Sequence, residues 1–195
     1  MSFVVSRRLE MPDPWRIERF RRAPEMGPRI LFFSGGTAIK GVARTLTSYT
    51  HNSIHLITPF DSGGSSAAIR RAFHMLSVGD LRNRIMALAD LSITGNPDVY
   101  DLFAYRFPLD ADNAKLRHQL WNMAAGRHAL VARIPNPIRR IVRNHLHYFL
   151  ERMPDDFDLR GASIGNLVLT GGYLNNRHHI EPVLFMFSKL INARG

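Results

Sequence analysis

Several features that would narrow the function are missing from this 195-residue sequence. It contains no cysteine, which excludes disulfides and thiolate metal sites. It contains no run of about 18 apolar residues, so no segment has the composition of a membrane-spanning helix. Arginines occupy positions 7 and 8, which leaves no room for the apolar region of a secretory signal. These absences predict a cytoplasmic protein with no membrane partner.

Lysine is scarce, although the chain is strongly basic. Lys and Arg together number 26 against 16 acidic residues, the formal net charge is +10, and nearly all of the cations are Arg. The positive electric field of such a protein can attract nucleic acid. However, no basic run exceeds two residues and no RNA-binding motif is present. Arginine also suits phosphate, because its planar fork contacts two oxygens at once. A small phosphorylated ligand is therefore expected, and a nucleic-acid partner is not.

The order of apolar segments and turns predicts an α/β fold. Four prolines make residues 1–28 an extended lead-in. A short buried strand at 29–33, a helix at 38–49 and a second strand at 54–60 form a right-handed βαβ unit. After this unit the pattern is helical, with predicted helices at 65–73, 80–91, 98–106, 113–125, 137–153, 163–174 and 180–193.

Two strands are few for a sheet of this class. The predicted architecture is a Rossmann-like parallel sheet, apparently incomplete, with a large helical segment in one domain over residues 29–195. A parallel sheet normally has further strands and is covered on both faces. We therefore expect the domain to be truncated at its C-terminus, and expect either a homo-oligomer or a missing C-terminal half to complete it.

Two glycine-rich turns follow the two strands. Gly35, Gly36 and Thr37 come after the first strand; the glycines let the backbone approach a phosphate, and the threonine adds a hydroxyl donor. The alternative is a plain strand-to-helix connection that requires glycine for its backbone angles. The pattern is neither a P-loop nor the dinucleotide GxGxxG fingerprint.

The second turn adds a carboxylate to the same design. Asp61 stands at the carboxyl end of the second strand, where it could hold Mg²⁺, orient a hydroxyl or act as a base. An Asx-turn or a helix cap is the alternative. Gly63 and Gly64 permit close approach, while Ser65 and Ser66 could donate to phosphate oxygens, although capping alone would explain one of them.

Three further residues are candidates for the same pocket. Arg82 and Asn83 fall in the first turn of a predicted helix, where donors can converge on an anion; an exposed surface arginine is the alternative. Asn166 lies inside an apolar segment. A buried asparagine needs hydrogen-bond partners, so we expect it to brace the pocket or to touch the ligand.

Taken in order, these motifs resemble one superfamily. SGGTA at 34–38, ITPFDSGGSS at 57–66 and VGDLRNRIMALA at 78–89 are similar to segments of 2-phospho-L-lactate transferase and the gluconeogenesis factor. A later GNL at 165–167 and LNN at 174–176 are also similar. Three positions depart from the superfamily pattern: Ala38 and Ala67 replace glycines, and Ser62 replaces the second of two aspartates.

The resemblance implies two functions. The first is the binding of a nucleotide-diphosphate ligand, of UDP-sugar or guanosine-diphosphate type, in a regulatory role like that of the gluconeogenesis factor. The alternative is a transferase that moves a phospholactyl-type group from a guanosine diphosphate donor to a deazaflavin precursor. Asp61 would then be the catalytic residue and the Mg²⁺ ligand. The missing second carboxylate favours the binding role and leaves enzymatic activity open.

Overall fold

The computed structural model describes residues 4–6, 8, 10–35, 39–60, 63–92 and 95–195. In place of an extended backbone, residues Pro14–Arg22 of the lead-in form a helix, α1. Asp13 caps it, because its Oδ1 accepts hydrogen bonds of 3.1 Å from the backbone N–H groups of Trp15 and Arg16. Pro14 occupies the first helical position, where its missing N–H costs nothing.

The predicted βαβ unit is present. Strand β1 (Ile30–Ser34) and strand β2 (Ser53–Ile57) pair in parallel, from Ile30 opposite Ser53 to Ser34 opposite Ile57. Helix α2 (Lys40–Leu46) connects them. Because the strands are parallel and in register, both carboxyl ends reach the same edge of the sheet. The segments that lead to the two glycine turns therefore leave the sheet at the same edge.

One face of this sheet is open. Phe33 is 84% exposed, and Leu31, Ile54 and Leu56 on the same face are each about half exposed. The prediction that the first strand is buried is therefore wrong on this face. The opposite face is better covered, and there Phe32 stacks on His55 with ring centroids 5.2 Å apart. The described helices pack mainly on one another, which leaves the apolar side chains of the open face uncovered.

The rest of the described chain is helical, as the sequence pattern predicts. The helices are α3 (Gly64–Phe73), α4 (Gly79–Ala87), α5 (Pro97–Ala104), α6 (Asn113–Ala124), α7 (Ala129–Ala132), α8 (Ile138–Arg152), α9 (Ile164–Asn175) and α10 (Glu181–Leu190). Among the described helices from α3 to α10, only α7, which is four residues long, has no counterpart among the predicted helices. None of the described helices has the length and apolar character needed to cross a bilayer.

Helix α9 occupies the centre of the core, and every residue from 161 to 172 is buried. It presses so closely on α8 that a Cβ atom at Gly171 would lie 1.8 Å from the carbonyl oxygen of His145. A Cβ atom at Gly172 would lie 2.7 Å from the His145 ring. Glycine at both positions is what allows this contact. The N-terminal end of α9 contacts α3, α4 and α5, the elements that carry the candidate site.

Candidate functional site

The second glycine turn opens α3. Gly63 is the N-cap residue and, as glycine, supplies no side-chain oxygen to the first N–H groups of the helix. Gly64 has φ +47°, a left-handed angle that favours glycine, and a Cβ atom there would meet nothing within 4 Å. The backbone at the start of α3 therefore faces open space. Backbone N–H groups and a positive dipole end in such a position suit an anion.

Ser65, in the first turn of α3, is tied to the start of α9. Asn166, only 2% exposed, donates from Nδ2 to the Ser65 hydroxyl at 2.9 Å. Its Oδ1 is buried and has no hydrogen-bond partner among the described residues. The buried asparagine thus joins the start of α9 to the first turn of α3. Ser66, the next residue of the turn, is buried.

Arg82 packs against Gly165 at the start of α9 and is only 8% exposed. It donates to the Phe103 carbonyl at 3.1 Å and to the Asn83 Oδ1 at 2.7 Å. A Cβ atom at Gly165 would lie 2.6 Å from Cδ of Arg82, so only glycine there leaves room for this arginine. Burial, and then the positive charge of Arg106, lower the pKa of Arg82 to about 10.

Arg84 belongs to the site, and sequence reasoning missed it. It is 4% exposed and donates from a terminal guanidinium nitrogen to the Ile39 carbonyl at 3.3 Å, next to the first glycine turn. Burial lowers its pKa, which Asp80 on the same helix partly offsets. Two residues along a helix turn the side chain by about 200°, so Arg82 and Arg84 leave α4 in different directions. The sequence signal that could have identified Arg84 is its position at the start of an otherwise apolar run after Asn83.

The two buried arginines share an unusual charge environment. No described carboxylate lies within ion-pair distance of Arg82 or Arg84. In both residues, Nε is buried and has no partner in the described part of the chain. A buried cation is costly unless an anion or a set of hydrogen bonds compensates it. Helix α4 therefore brings two incompletely compensated positive charges to the site.

The first glycine turn is described only at its edges. Gly35 follows β1, and a Cβ atom there would make an ordinary contact of 3.8 Å with the Thr58 hydroxyl. Ser34 hydrogen-bonds to Nδ1 of His55 at 3.2 Å, and burial followed by the charge of Arg84 lowers the pKa of that histidine. The predicted site residues Gly36, Thr37 and Asp61 lie outside the described residues.

The described residues do not themselves offer a metal centre. Among them, no group of three or more histidine or acidic side chains is arranged to hold an ion. The one carboxylate assigned to Mg²⁺ by resemblance is Asp61, which falls in an undescribed stretch. The first N–H groups of α3, together with Arg82 and Arg84, form what we call the cradle. It can hold an anion by hydrogen bonds and charge.

Residues 30–193 match the family described as 2-phospho-L-lactate transferase CofD. The match includes both strands and every helix from α2 to α10. The chain belongs to this family. The resemblance drawn from the three motifs and the α/β fold class are both confirmed.

Curated relatives match less than half of the chain. A putative gluconeogenesis factor from Thermoanaerobacterium thermosulfurigenes is 38% identical over 81 residues, which cover 42% of this chain and 24% of the relative. A gluconeogenesis factor from Listeria monocytogenes is 36% identical over 88 residues, or 45% of this chain and 26% of the relative. The matched stretch thus spans about a quarter of each relative.

Solved structures support the same fold. A member of the UPF0052 family from Bacillus halodurans superimposes with a TM-score of 0.54 at 22% identity. The superposition covers 86% of this chain and 37% of the solved one. A second structure of the Bacillus halodurans protein gives a TM-score of 0.52. At this identity the likeness establishes the fold.

Proposed function

We propose that the protein binds a nucleotide-diphosphate ligand, of UDP-sugar or guanosine-diphosphate type, at the carboxyl edge of the sheet. The observation that carries the proposal is the pair of buried arginines on α4, Arg82 and Arg84, which have no described carboxylate partner. A diphosphate would supply the missing negative charge. The similarity to gluconeogenesis factors supports a regulatory or binding role.

Each element of the cradle has a distinct part in this proposal. The first N–H groups of α3, opened by Gly63 and Gly64, and the Ser65 hydroxyl would donate to phosphate oxygens. Arg84 would bring its charge from the side of the first glycine turn, where it already contacts the Ile39 carbonyl. Arg82 would raise the positive potential behind Asn166 without having to leave its place against Phe103.

A transferase is the second candidate, and the family description favours it. In this reading, Asp61, which follows β2 by four residues in the sequence, would hold Mg²⁺ or act as a base on the acceptor hydroxyl. The residue next to it is Ser62, where the superfamily motif has a second aspartate, so any metal would have fewer carboxylate ligands here. Transfer of a phospholactyl-type group from a guanosine diphosphate donor to a deazaflavin acceptor, in the presence of Mg²⁺, would establish this function.

Calorimetric titration with UDP, UDP-glucose and GDP tests the binding proposal. We expect Arg84→Met to weaken binding of the preferred nucleotide about tenfold or more, the effect of one charge-assisted hydrogen bond. Arg140→Met is the matched control, because it removes one equally charged residue from the exposed surface of α8. Equal losses in the two variants, or no binding of any nucleotide by the parent protein, would refute the proposal.

A further inference from the structure

A second cluster of arginines lies beside the start of α3. A cleft of about 250 Å³ runs between this turn and residues 157–162, which lead into α9. Its wall includes Gly64, Ser65, Arg71, Arg106, Arg160 and Gly161. We call it the arginine cleft. It shares Gly64 and Ser65 with the cradle described above, so the two sites meet at the N-terminal turn of α3.

Arg71 is the available cation of this cleft. It lies on α3 two turns after Ser65, and its side chain is exposed. It makes no hydrogen bond and no ion pair within the described part of the chain. An exposed arginine that borders a concave wall without a partner can contact a ligand at little structural cost.

The other two arginines have defined roles in the wall. Arg106 donates to the carbonyl oxygen of Gly161, which fixes its guanidinium at the cleft. No described carboxylate pairs with it, and its charge contributes to the lowered pKa of Arg82. Arg160, in contrast, is paired with Asp158 through contacts of 2.8 and 3.0 Å. The charges of Arg160 and Asp158 cancel each other. The net positive charge of the cleft therefore comes from Arg71 and Arg106.

The wall is also held in place from the core. Buried Asn166 fixes the Ser65 hydroxyl at 2.9 Å, and the backbone N–H of Phe107 donates to the Ala162 carbonyl at 2.9 Å. Gly161 adopts φ +68°, and a Cβ atom there would lie 2.7 Å from a side-chain carbon of Leu109. The cleft is therefore formed by backbone in a fixed conformation and not by side chains alone.

We propose that the arginine cleft is an oxyanion subsite, which takes a phosphoryl or carboxylate group at the end of the ligand remote from the nucleoside. Arg71 and Arg106 provide the charge, and the start of α3 provides N–H donors shared with the diphosphate. The assignment of the rest of the ligand rests on the proposed nucleotide function. The subsite itself rests on the two arginines and can be tested without a nucleotide.

The first experiment compares UDP-glucose with UDP-glucuronate, which differ by one carboxylate in the sugar. We expect the parent protein to bind UDP-glucuronate about tenfold more tightly, as one charge-assisted pair allows. Arg71→Gln should remove this preference, because Arg71 provides part of the charge of the subsite. Arg140→Gln, which loses the same charge elsewhere, should keep it. Equal affinities in the parent, or a preference that survives Arg71→Gln, would overturn the subsite.

The second experiment separates the subsite from the nucleotide proposal. Inorganic phosphate is titrated at low salt while the amide resonances of Gly64, Ser65 and Gly161 are followed by NMR. We expect saturable shifts in the parent and in Arg140→Gln, and their loss in Arg71→Gln. This result in a protein that binds no nucleotide would support the subsite and refute the nucleotide function. No shifts in the parent, or equal shifts in both variants, would refute the subsite.

Discussion

The side-chain amide of Asn166 donates a 2.9 Å hydrogen bond to the Ser65 hydroxyl and so joins the starts of α9 and α3, 101 positions apart in sequence. Removal of either partner leaves the other without this bond in a largely buried place. We expect Asn166→Ala to lower the free energy of unfolding by about 1–3 kcal/mol and Ser65→Ala by about 1 kcal/mol.

Urea unfolding of the two single variants and the double variant measures this contact directly. The double variant should lose about 1 kcal/mol less than the sum of the singles, because the shared bond can be lost only once. Additive losses would show that the two side chains stabilise the fold independently.

Gly64 and Gly41 form a matched pair for testing the second turn. A Cβ atom would meet nothing within 4 Å at either position, but only Gly64 has a left-handed φ. Gly64→Ala should therefore cost about 1–2 kcal/mol of stability, while Gly41→Ala in α2 should be neutral or stabilising by up to about 1 kcal/mol.

We also expect Gly64→Val to abolish nucleotide binding. Nucleotide affinity within about twofold of the parent in folded Gly64→Val would remove this turn from the ligand site.

His145 should make stability depend on pH. Its burial between α8 and α9 lowers its pKa from 6.5 to about 4, so the fold holds the neutral ring. This contribution is complete above pH 6.5 and is lost as the pH falls from 6.5 through 4. It amounts to about 3 kcal/mol at most. Burial also lowers the pKa of His55 and His128, which adds to the same trend.

Urea unfolding at pH 7.5 and pH 5 measures this contribution. His145→Gln should flatten the pH dependence, and His147→Gln, an exposed position on the same helix, should leave it as in the parent. An unchanged pH dependence in His145→Gln would assign the effect to other groups.

The open face of the sheet predicts self-association. Leu31, Phe33, Ile54 and Leu56 form a contiguous apolar surface on two strands whose outer edges are unpaired in the described sheet. Such surfaces and edges favour pairing with another chain. Light scattering should show a species larger than one chain, and Phe33→Ser combined with Leu56→Ser should reduce it. Phe185→Ser, an exposed aromatic position on α10, is the control. A monodisperse monomer of the parent would contradict this prediction.

Substitution of Asp61 tests the proposed role of Mg²⁺. We expect Asp61→Asn to remove the effect of Mg²⁺ on nucleotide affinity or on transfer and to change stability by less than about 0.5 kcal/mol. Calorimetry with Mg²⁺ and with a chelator measures the first effect, and urea unfolding the second. Loss of stability with unchanged affinity per folded molecule would make Asp61 a structural turn residue.

The helices and strands could be predicted from the sequence more completely than the tertiary contacts around them. The two parallel strands and most helices could be predicted because apolar periodicity and glycine or proline punctuation act locally. The burial of the first strand could not, since an apolar strand shows that cover is favourable without showing what provides it. The same limit applies to Asn166, whose need for a partner is evident but whose partner is not.

Arg84 illustrates a different limit. Its place in the candidate site depends on the direction of α4, which brings its side chain to the Ile39 carbonyl. Arg82, two residues earlier and more prominent in the motif, points instead to Phe103. Helical spacing separates the two side chains, but only the tertiary arrangement decides which neighbour each one meets.

The close packing of Gly171 on the His145 carbonyl has a consequence for evolution at the site. Helix α9 cannot slide or rotate without breaking that contact, and its first turn carries Gly165 and Asn166 to Arg82 and Ser65. Under the proposed function, substitutions at the contact between α8 and α9 would therefore change ligand affinity by displacing α9. The packing of the interior and the geometry of the candidate site are therefore coupled.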